Sequence, residues 1–116
     1  GQRIRLHGID APESSQICTR GEQRWRCGAA AANRLDELIN GRTVNCEQTG
    51  IDRYRRMLAV CSVGGVEINR WLVENGLAFA FRRYSTDYVS SEARAERAQN
   101  GLWAWDFQYP WDYRSR

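Results

Sequence analysis

The sequence contains no lysine, one histidine and only two prolines, and it has no apolar run long enough to cross a membrane. All 17 basic residues are arginines, set against 14 acidic residues, for a net charge of +3. So small a charge only weakly favours a polyanionic partner, although arginine suits phosphate and stacks on aromatic rings. No signal peptide is recognisable, so any leader would precede residue 1. The length predicts one domain, residues 1–116. The lack of a long apolar run predicts no membrane partner.

The four cysteines lack the CxxC spacing of a zinc site. An even number in a small domain favours two disulfides and an oxidising compartment, which predicts a secreted or periplasmic protein. Four cysteines allow three pairings. We favour Cys18–Cys27 and Cys46–Cys61, the second because its members face each other across a predicted hairpin.

The order of apolar and polar residues predicts an α+β domain with a small, mostly antiparallel sheet. Ser90 or Ser91 is expected to cap the last helix. The predicted elements are a strand at 3–6, a loop at 14–20, a helix of about 18 residues from Gly21, strands at 42–47, 57–63 and 66–68, helices at 69–74 and 90–99, and an aromatic, only partly ordered tail at 106–116.

The first strand runs into a bend that is rich in charge. Pro12 has no amide hydrogen to donate to a sheet, so Asp10 and Glu13 are predicted to lie at a strand end. Two carboxylates at such a bend suit a hard divalent cation and an activated water, and Arg5 on the strand suits a phosphate. The alternative is a strand that leaves the sheet through a polar turn with a surface ion pair.

A second basic site precedes the most apolar strand, at residues 57–63. Arg53, Arg55 and Arg56 surround Tyr54 at the mouth of this strand. Arginines beside an exposed aromatic ring suit a phosphate with a base stacked next to it. The alternative is a solvated turn with a charged rim. The pairing with the acidic bend favours the functional interpretation, because each segment lies at a strand end.

Four motifs together resemble the thermonuclease, or staphylococcal nuclease-like, family. They are residues 5–13 (RLHGIDAPE), residues 52–59 (DRYRRMLA), residues 69–78 (NRWLVENGLA), and a helix from Glu92 that ends in Asn100-Gly101-Leu102-Trp103. The motifs keep the family's order over about residues 3–103.

The resemblance implies an OB-fold, a five-stranded Greek-key barrel with about three helices. It also implies a calcium-dependent endonuclease that hydrolyses DNA and RNA, preferably single-stranded or frayed, with little sequence preference. Family members carry an aspartate-rich strand before the segment that begins here, so the first strands of the barrel are expected to be missing from this chain. The unpaired barrel edges would favour self-association.

The resemblance also assigns roles to single residues. Arg5 and Arg56 would grip the phosphate, and Glu13 would be the general base. Asp10 and the backbone carbonyl of Ala11 would bind Ca²⁺, with Glu13 a further ligand, directly or through a water. The residues expected near the nucleotide are Arg53, Tyr54, Arg82 and Tyr84.

Two other functions fit the same fold. A related module could hold nucleic acid without cleaving it, and a structural OB domain would bind no nucleotide at all. The joint presence of Arg5, Asp10, Glu13 and Arg56 favours the enzyme over both.

Overall fold

The protein's structure is a computed structural model that describes residues 3–115. Every helix in this range is too short or too polar to cross a membrane. In chain order the elements are β1 (Ile4–Leu6), β2 (Ile9–Asp10), β3 (Cys18–Arg20), β4 (Gln23–Trp25), α1 (Cys27–Ile39), β5 (Asn45–Ile51), β6 (Met57–Val63), β7 (Val66–Glu67), α2 (Ile68–Glu74), β8 (Phe79–Ala80), α3 (Val89–Arg97), a 3-10 helix (Gly101–Ala104) and α4 (Pro110–Arg114).

Strand β6 is the centre of the main sheet. It pairs with β5 and β7 in antiparallel fashion and with β1 in parallel fashion. Two further two-stranded sheets join β2 to β8 and β3 to β4. The α+β class is confirmed, and the arrangement is consistent with a nuclease-like OB-fold. Within residues 3–115 the strands form these separate sheets and not a closed barrel.

The main core lies between β6 and the helices. Ala59, Cys61 and Val63 alternate along β6 on the buried face, as the period of a strand requires. The buried side chain of Asn69 fixes α2 to the sheet, because it donates to the carbonyls of His7 and Ala59 and accepts from the amide of Cys61. A buried amide that is satisfied in this way holds the helix in one position.

A smaller core lies around the Cys18–Cys27 disulfide, which packs with Phe79 and Leu102. Six partly buried aromatics surround it: Trp25, Trp103, Trp105, Phe107, Tyr109 and Trp111. The Cys46–Cys61 disulfide joins directly paired residues of β5 and β6. Both pairings are the ones favoured from the sequence.

The long helix begins later than predicted. A hairpin of β3 and β4 turns at Gly21, which has a φ of +60°, and α1 starts only at Cys27. Residues 18–20 are therefore a strand and not a loop. Trp25 falls within the predicted helix, but it lies in β4 and packs against Trp105, with 5.3 Å between the ring centroids. The aromatic partner, which is distant in sequence, and the Cys18–Cys27 disulfide together outweigh the local helical spacing.

Two other predicted boundaries also move. Strand β5 begins at Asn45 and continues through Gly50 with a bulge, so the turn follows Ile51. Helix α3 starts at Val89 and has no side-chain cap. Ser91 does not cap it, because its buried hydroxyl is hydrogen-bonded to arginines of α2 and α3.

The tail after residue 105 was expected to be only partly ordered, and that expectation was wrong. Asp106 forms an antiparallel bridge with Thr19. The chain then continues through buried Pro110 into α4. Trp111 stacks on Tyr109 at 4.7 Å, so apolar burial holds this segment against the body.

Candidate active site

One cleft of about 650 Å³ lies where β1, the turn between β5 and β6, the segment after β8 and α4 meet. Its lining contains six guanidinium groups, one carboxylate and four aromatic rings. The lining residues are Arg3, Arg5, Glu13, Arg53, Tyr54, Arg56, Phe81, Arg83, Tyr84, Trp111 and Arg114. So many cations around one concavity make it a candidate site for a polyanion.

Asp52 organises the basic turn. One carboxylate oxygen accepts the backbone amides of Tyr54 (2.8 Å) and Arg56 (2.9 Å), and the other accepts Nε of Arg56 at 2.7 Å. The Asp52 side chain is only 2% exposed. Burial raises the pKa of Asp52, but these hydrogen bonds outweigh it, so the pKa lies below its ordinary value.

Arg56 is thereby held by one nitrogen only. Within residues 3–115 its two terminal nitrogens make no hydrogen bond to protein, which leaves them for an anion. Arg53 and Arg56 both lie over the ring of Tyr54, at 5.2 and 5.3 Å from its centroid. Arg3 closes the turn from the other side by donating to the carbonyl of Tyr54 at 2.6 Å.

The parallel pairing of β1 with β6 brings Arg5 to the same cleft, because Arg5 lies opposite Leu58 at the start of β6. Arg5 lies 5.6 Å from the ring centroid of Phe81 and 3.6 Å from a carboxylate oxygen of Asp10. Asp10 itself is paired with Phe79 of β8. Two short strand pairings therefore set the positions of the first arginine and the first carboxylate.

The bend that carries Glu13 is held from below by α1. Gln16 accepts the amide of Glu13 at 2.8 Å and donates to the carbonyl of Gln108, so it joins the bend to the segment before α4. A Cβ at Gly28 would lie 1.8 Å from the carbonyl oxygen of Glu13. Only glycine allows the helix to approach the bend so closely.

Arg114 of α4 contacts both carboxylates of the bend. Its Nη1 donates to Asp10 at 3.1 Å and to Glu13 at 2.7 Å, and its Nη2 donates to the second oxygen of Asp10 at 2.5 Å. The hydrogen bond to Asp10 is the largest cause that raises the pKa of Arg114 above its ordinary value. Sequence reasoning missed this contact, since the partners lie about a hundred residues apart.

The structure brings most of the predicted site residues together. Six line the cleft: Arg5, Glu13, Arg53, Tyr54, Arg56 and Tyr84. Asp10 adjoins it through its contacts with Arg5 and Arg114. Arg82 does not line this cleft, because it pairs with buried Glu92 at 3.2 Å; its neighbour Arg83 lines the cleft instead. Arg83 had no sequence signal that set it apart from Arg82.

The residues expected to hold a metal do not fit one in this arrangement. Ca²⁺ takes six to eight oxygen ligands. Asp10 and Glu13 are carboxylates of the right kind, but Arg114 engages both. Across residues 3–115 no cluster of three or more histidine, cysteine, aspartate or glutamate side chains could hold a metal ion.

Comparison with known proteins identifies one family. Residues 3–105 match the family model described as staphylococcal nuclease homologue. The chain is 37% identical over 111 residues to the succinoglycan biosynthesis protein ExoI of Rhizobium meliloti, a match that covers 89% of this chain and 56% of the relative. It is 35% identical to an uncharacterized endonuclease of Haemophilus influenzae, covering 88% and 53%. It is also 35% identical to a micrococcal nuclease of Shigella flexneri, covering 97% and 67%. The chain spans about half the length of the first two.

Proposed function

The chain belongs to the family of staphylococcal nuclease homologues, and on that premise we propose that it hydrolyses phosphodiester bonds within DNA and RNA with little dependence on base sequence. The observation that carries this proposal is the convergence of Arg5, Glu13 and Arg56 on one cleft, although they lie on three separate segments of the chain. Relatives named as endonuclease and micrococcal nuclease support the same reaction class.

In the proposed reaction a water oxygen attacks phosphorus, and the bond from phosphorus to the leaving oxygen breaks. Glu13 accepts the proton of the attacking water, and solvent supplies a proton to the leaving oxygen. Arg5 and Arg56 bind the non-bridging oxygens and stabilise the charge that develops on them. The terminal nitrogens of Arg56 support this role, because no group in the described part of the chain hydrogen-bonds to them and they can meet a phosphate in two-pronged geometry.

The aromatic residues of the cleft support binding of unpaired nucleotides. Tyr54 and Tyr84 are 55% and 47% exposed as whole residues, so part of each ring is accessible to a base. Stacking on such rings requires a base that is not buried in a duplex, which favours single-stranded or frayed substrates. We assign the accompanying phosphate contacts to Arg53 and to Arg83, which takes the place expected for Arg82.

Calcium dependence is part of the proposal, with Asp10, the carbonyl of Ala11 and Glu13 as the ligands that this chain contributes. When bound, Ca²⁺ would supply positive charge beside the phosphate and favour ionisation of the attacking water. Because Arg114 engages both carboxylates here, none of the steps above is routed through a metal.

The two disulfides support a secreted or periplasmic location, since such bonds persist in oxidising compartments. Self-association also stays a prediction. Strand β5 is at an edge of the main sheet and exposes Ile51, whose surface is 65% accessible, so size-exclusion chromatography should compare the parent with Ile51→Arg.

The direct test is cleavage of a fluorescent single-stranded DNA with excess CaCl₂ and with a chelator, using the parent chain and Glu13→Gln. We expect calcium-dependent cleavage by the parent. Glu13→Gln should bind DNA as the parent does but cleave it at least about a hundredfold more slowly, because water loses its base. Glu37→Gln is the matched control, since Glu37 is exposed on α1, away from the cleft. Equal cleavage by Glu13→Gln and the parent would remove Glu13 from the mechanism.

A second candidate function is nucleic-acid binding without hydrolysis. The observation that favours it is the engagement of Glu13 by Arg114 at 2.7 Å, which opposes its use as a base. DNA binding with no cleavage under either condition would favour this function over the nuclease.

A further inference from the structure

We propose that Arg114 is an internal cation that closes the Asp10–Glu13 carboxylate pair, so that a divalent cation binds there only after α4 has released it. The inference rests on the proposed function, because it takes these two carboxylates as the cation-binding part of a nuclease site. It makes the segment that carries Arg114 an autoinhibitory strap.

The first argument is the number of oxygen atoms that Arg114 engages. Its two terminal nitrogens contact both oxygens of Asp10, at 3.1 and 2.5 Å, and one oxygen of Glu13, at 2.7 Å. Three of the four carboxylate oxygens therefore accept from one guanidinium. Charge-assisted contacts of this two-pronged kind are stronger than neutral hydrogen bonds. A metal ion that needs the same oxygens has to displace the guanidinium.

The second argument is the balance of charge. Arg5 also lies 3.6 Å from Asp10, so two arginines neutralise the two carboxylates. A divalent cation added to this group would leave two positive charges in excess, and the departure of Arg114 would halve that excess. Asp10 is 5% exposed, so water screens these charges only partly. A guanidinium keeps its proton in proteins, so Arg114 can leave the two carboxylates only by moving.

The third argument is the position of Arg114 in the chain. It lies on α4, beyond residue 105, where the match to the family model ends, whereas Asp10 and Glu13 lie inside that match. Helix α4 has only five residues, and its release breaks few backbone hydrogen bonds. Tyr113 and Trp111 hold it to the body through contacts with Ser15 and Phe81.

The test is calorimetric titration of CaCl₂ into the protein without nucleic acid, for the parent, Arg114→Gln and Arg97→Gln. Arg114→Gln should bind calcium about tenfold more tightly, because it removes the competing charge and its contacts. Arg97 is an exposed arginine of α3 outside the cleft, so Arg97→Gln loses the same charge and should stay within about twofold of the parent. Equal or weaker calcium binding by Arg114→Gln would overturn the proposal. The absence of calcium binding by both the parent and Arg114→Gln would overturn it as well.

Two additions separate the strap from a purely structural contact and from failure of the proposed function. Arg114→Lys keeps the positive charge but not the planar guanidinium that donates two parallel hydrogen bonds. Its calcium affinity should therefore fall between those of the parent and Arg114→Gln. If Arg114 only stabilises the fold, Arg114→Gln and Arg114→Lys should both unfold at lower urea concentrations and should bind calcium no more tightly than the parent. DNA cleavage is measured in the same samples. If Arg114→Gln binds calcium more tightly but DNA is not cleaved, the strap is supported and the nuclease function is refuted. If DNA is cleaved but Arg114→Gln shows no gain in calcium affinity, the nuclease function is supported and the strap is refuted.

Discussion

The cleft contains two arginine–carboxylate contacts that are built in opposite ways. In the basic turn, buried Asp52 accepts two backbone amides and one nitrogen of Arg56, whose other two nitrogens make no hydrogen bond to any residue from 3 to 115. In the acidic bend, Arg114 arrives from the far end of the chain and engages Asp10 and Glu13. The first contact orients the Arg56 guanidinium for an anionic ligand. The second occupies the carboxylates of Asp10 and Glu13, which a metal ion would need. An ion pair can thus organise or occupy a site, depending on which partner keeps unused hydrogen-bonding groups.

The largest expected effect comes from removing the arginine of the first contact, between Arg56 and Asp52. Arg56→Ala should lower kcat for DNA cleavage on the order of a hundredfold or more, because it removes a donor that stabilises the transition state. The fold should lose only moderate stability, because buried Asp52 loses the Nε donor but keeps its two backbone amides. Steady-state kinetics and urea unfolding of the same preparation measure the two quantities.

Arg97→Ala is the control for this variant, because it removes an arginine from outside the cleft. If Arg56→Ala unfolded at much lower urea while its folded fraction cleaved normally, Arg56 would be structural, and the contrast between the two contacts would fail.

A smaller effect tests whether Asp52 acts through Arg56. Asp52→Asn keeps the shape but loses the negative charge, so Arg56 should be less well held and kcat should fall about tenfold. In the Arg56→Ala background the same change should have almost no further effect on kcat, because the group to be positioned is gone. The four rates form a double-mutant cycle. Full additivity of the two effects would show that Asp52 does not position Arg56.

The parts of the site that the sequence could predict are those set by neighbouring residues. Strand β6 runs over the predicted residues 57–63, because its apolar run and the glycines after it act locally. Arg53, Tyr54 and Arg56 lie together because they are neighbours in the turn before β6. In both cases the physical cause lies within a few residues of the feature that it determines. The meeting of Arg5 with Arg56 depends instead on the pairing of β1 with β6, two distant segments, and it was indicated by the family resemblance.

The parts that could not be predicted depend on contacts between distant segments. The β3–β4 hairpin replaces a helical turn because Trp25 packs on Trp105. Arg82 and Arg83 have the same chemistry, and only Glu92 on α3 decides which of them faces the cleft. The charge of Asp10 indicates that it pairs with a cation. All 17 strongly basic residues are arginines, however, so the sequence does not say which of them is the partner.

The smallest effect sharpens the comparison through pH. The pKa of Asp52 is lowered in the folded state by its hydrogen bonds, in spite of burial, from an ordinary value of 3.8. A depressed pKa stabilises the fold fully above that ordinary value, and the stabilisation is lost as the pH falls below 3.8 toward the folded pKa. The urea midpoint of the parent should therefore drop further between pH 6 and pH 3 than that of Asp52→Asn, which has no such carboxylate. Other carboxylates titrate in both proteins and cancel in the difference. Parallel curves for the two proteins would mean that the turn holds Arg56 without help from the charge of Asp52, and that the two contacts of the cleft differ less than their geometry indicates.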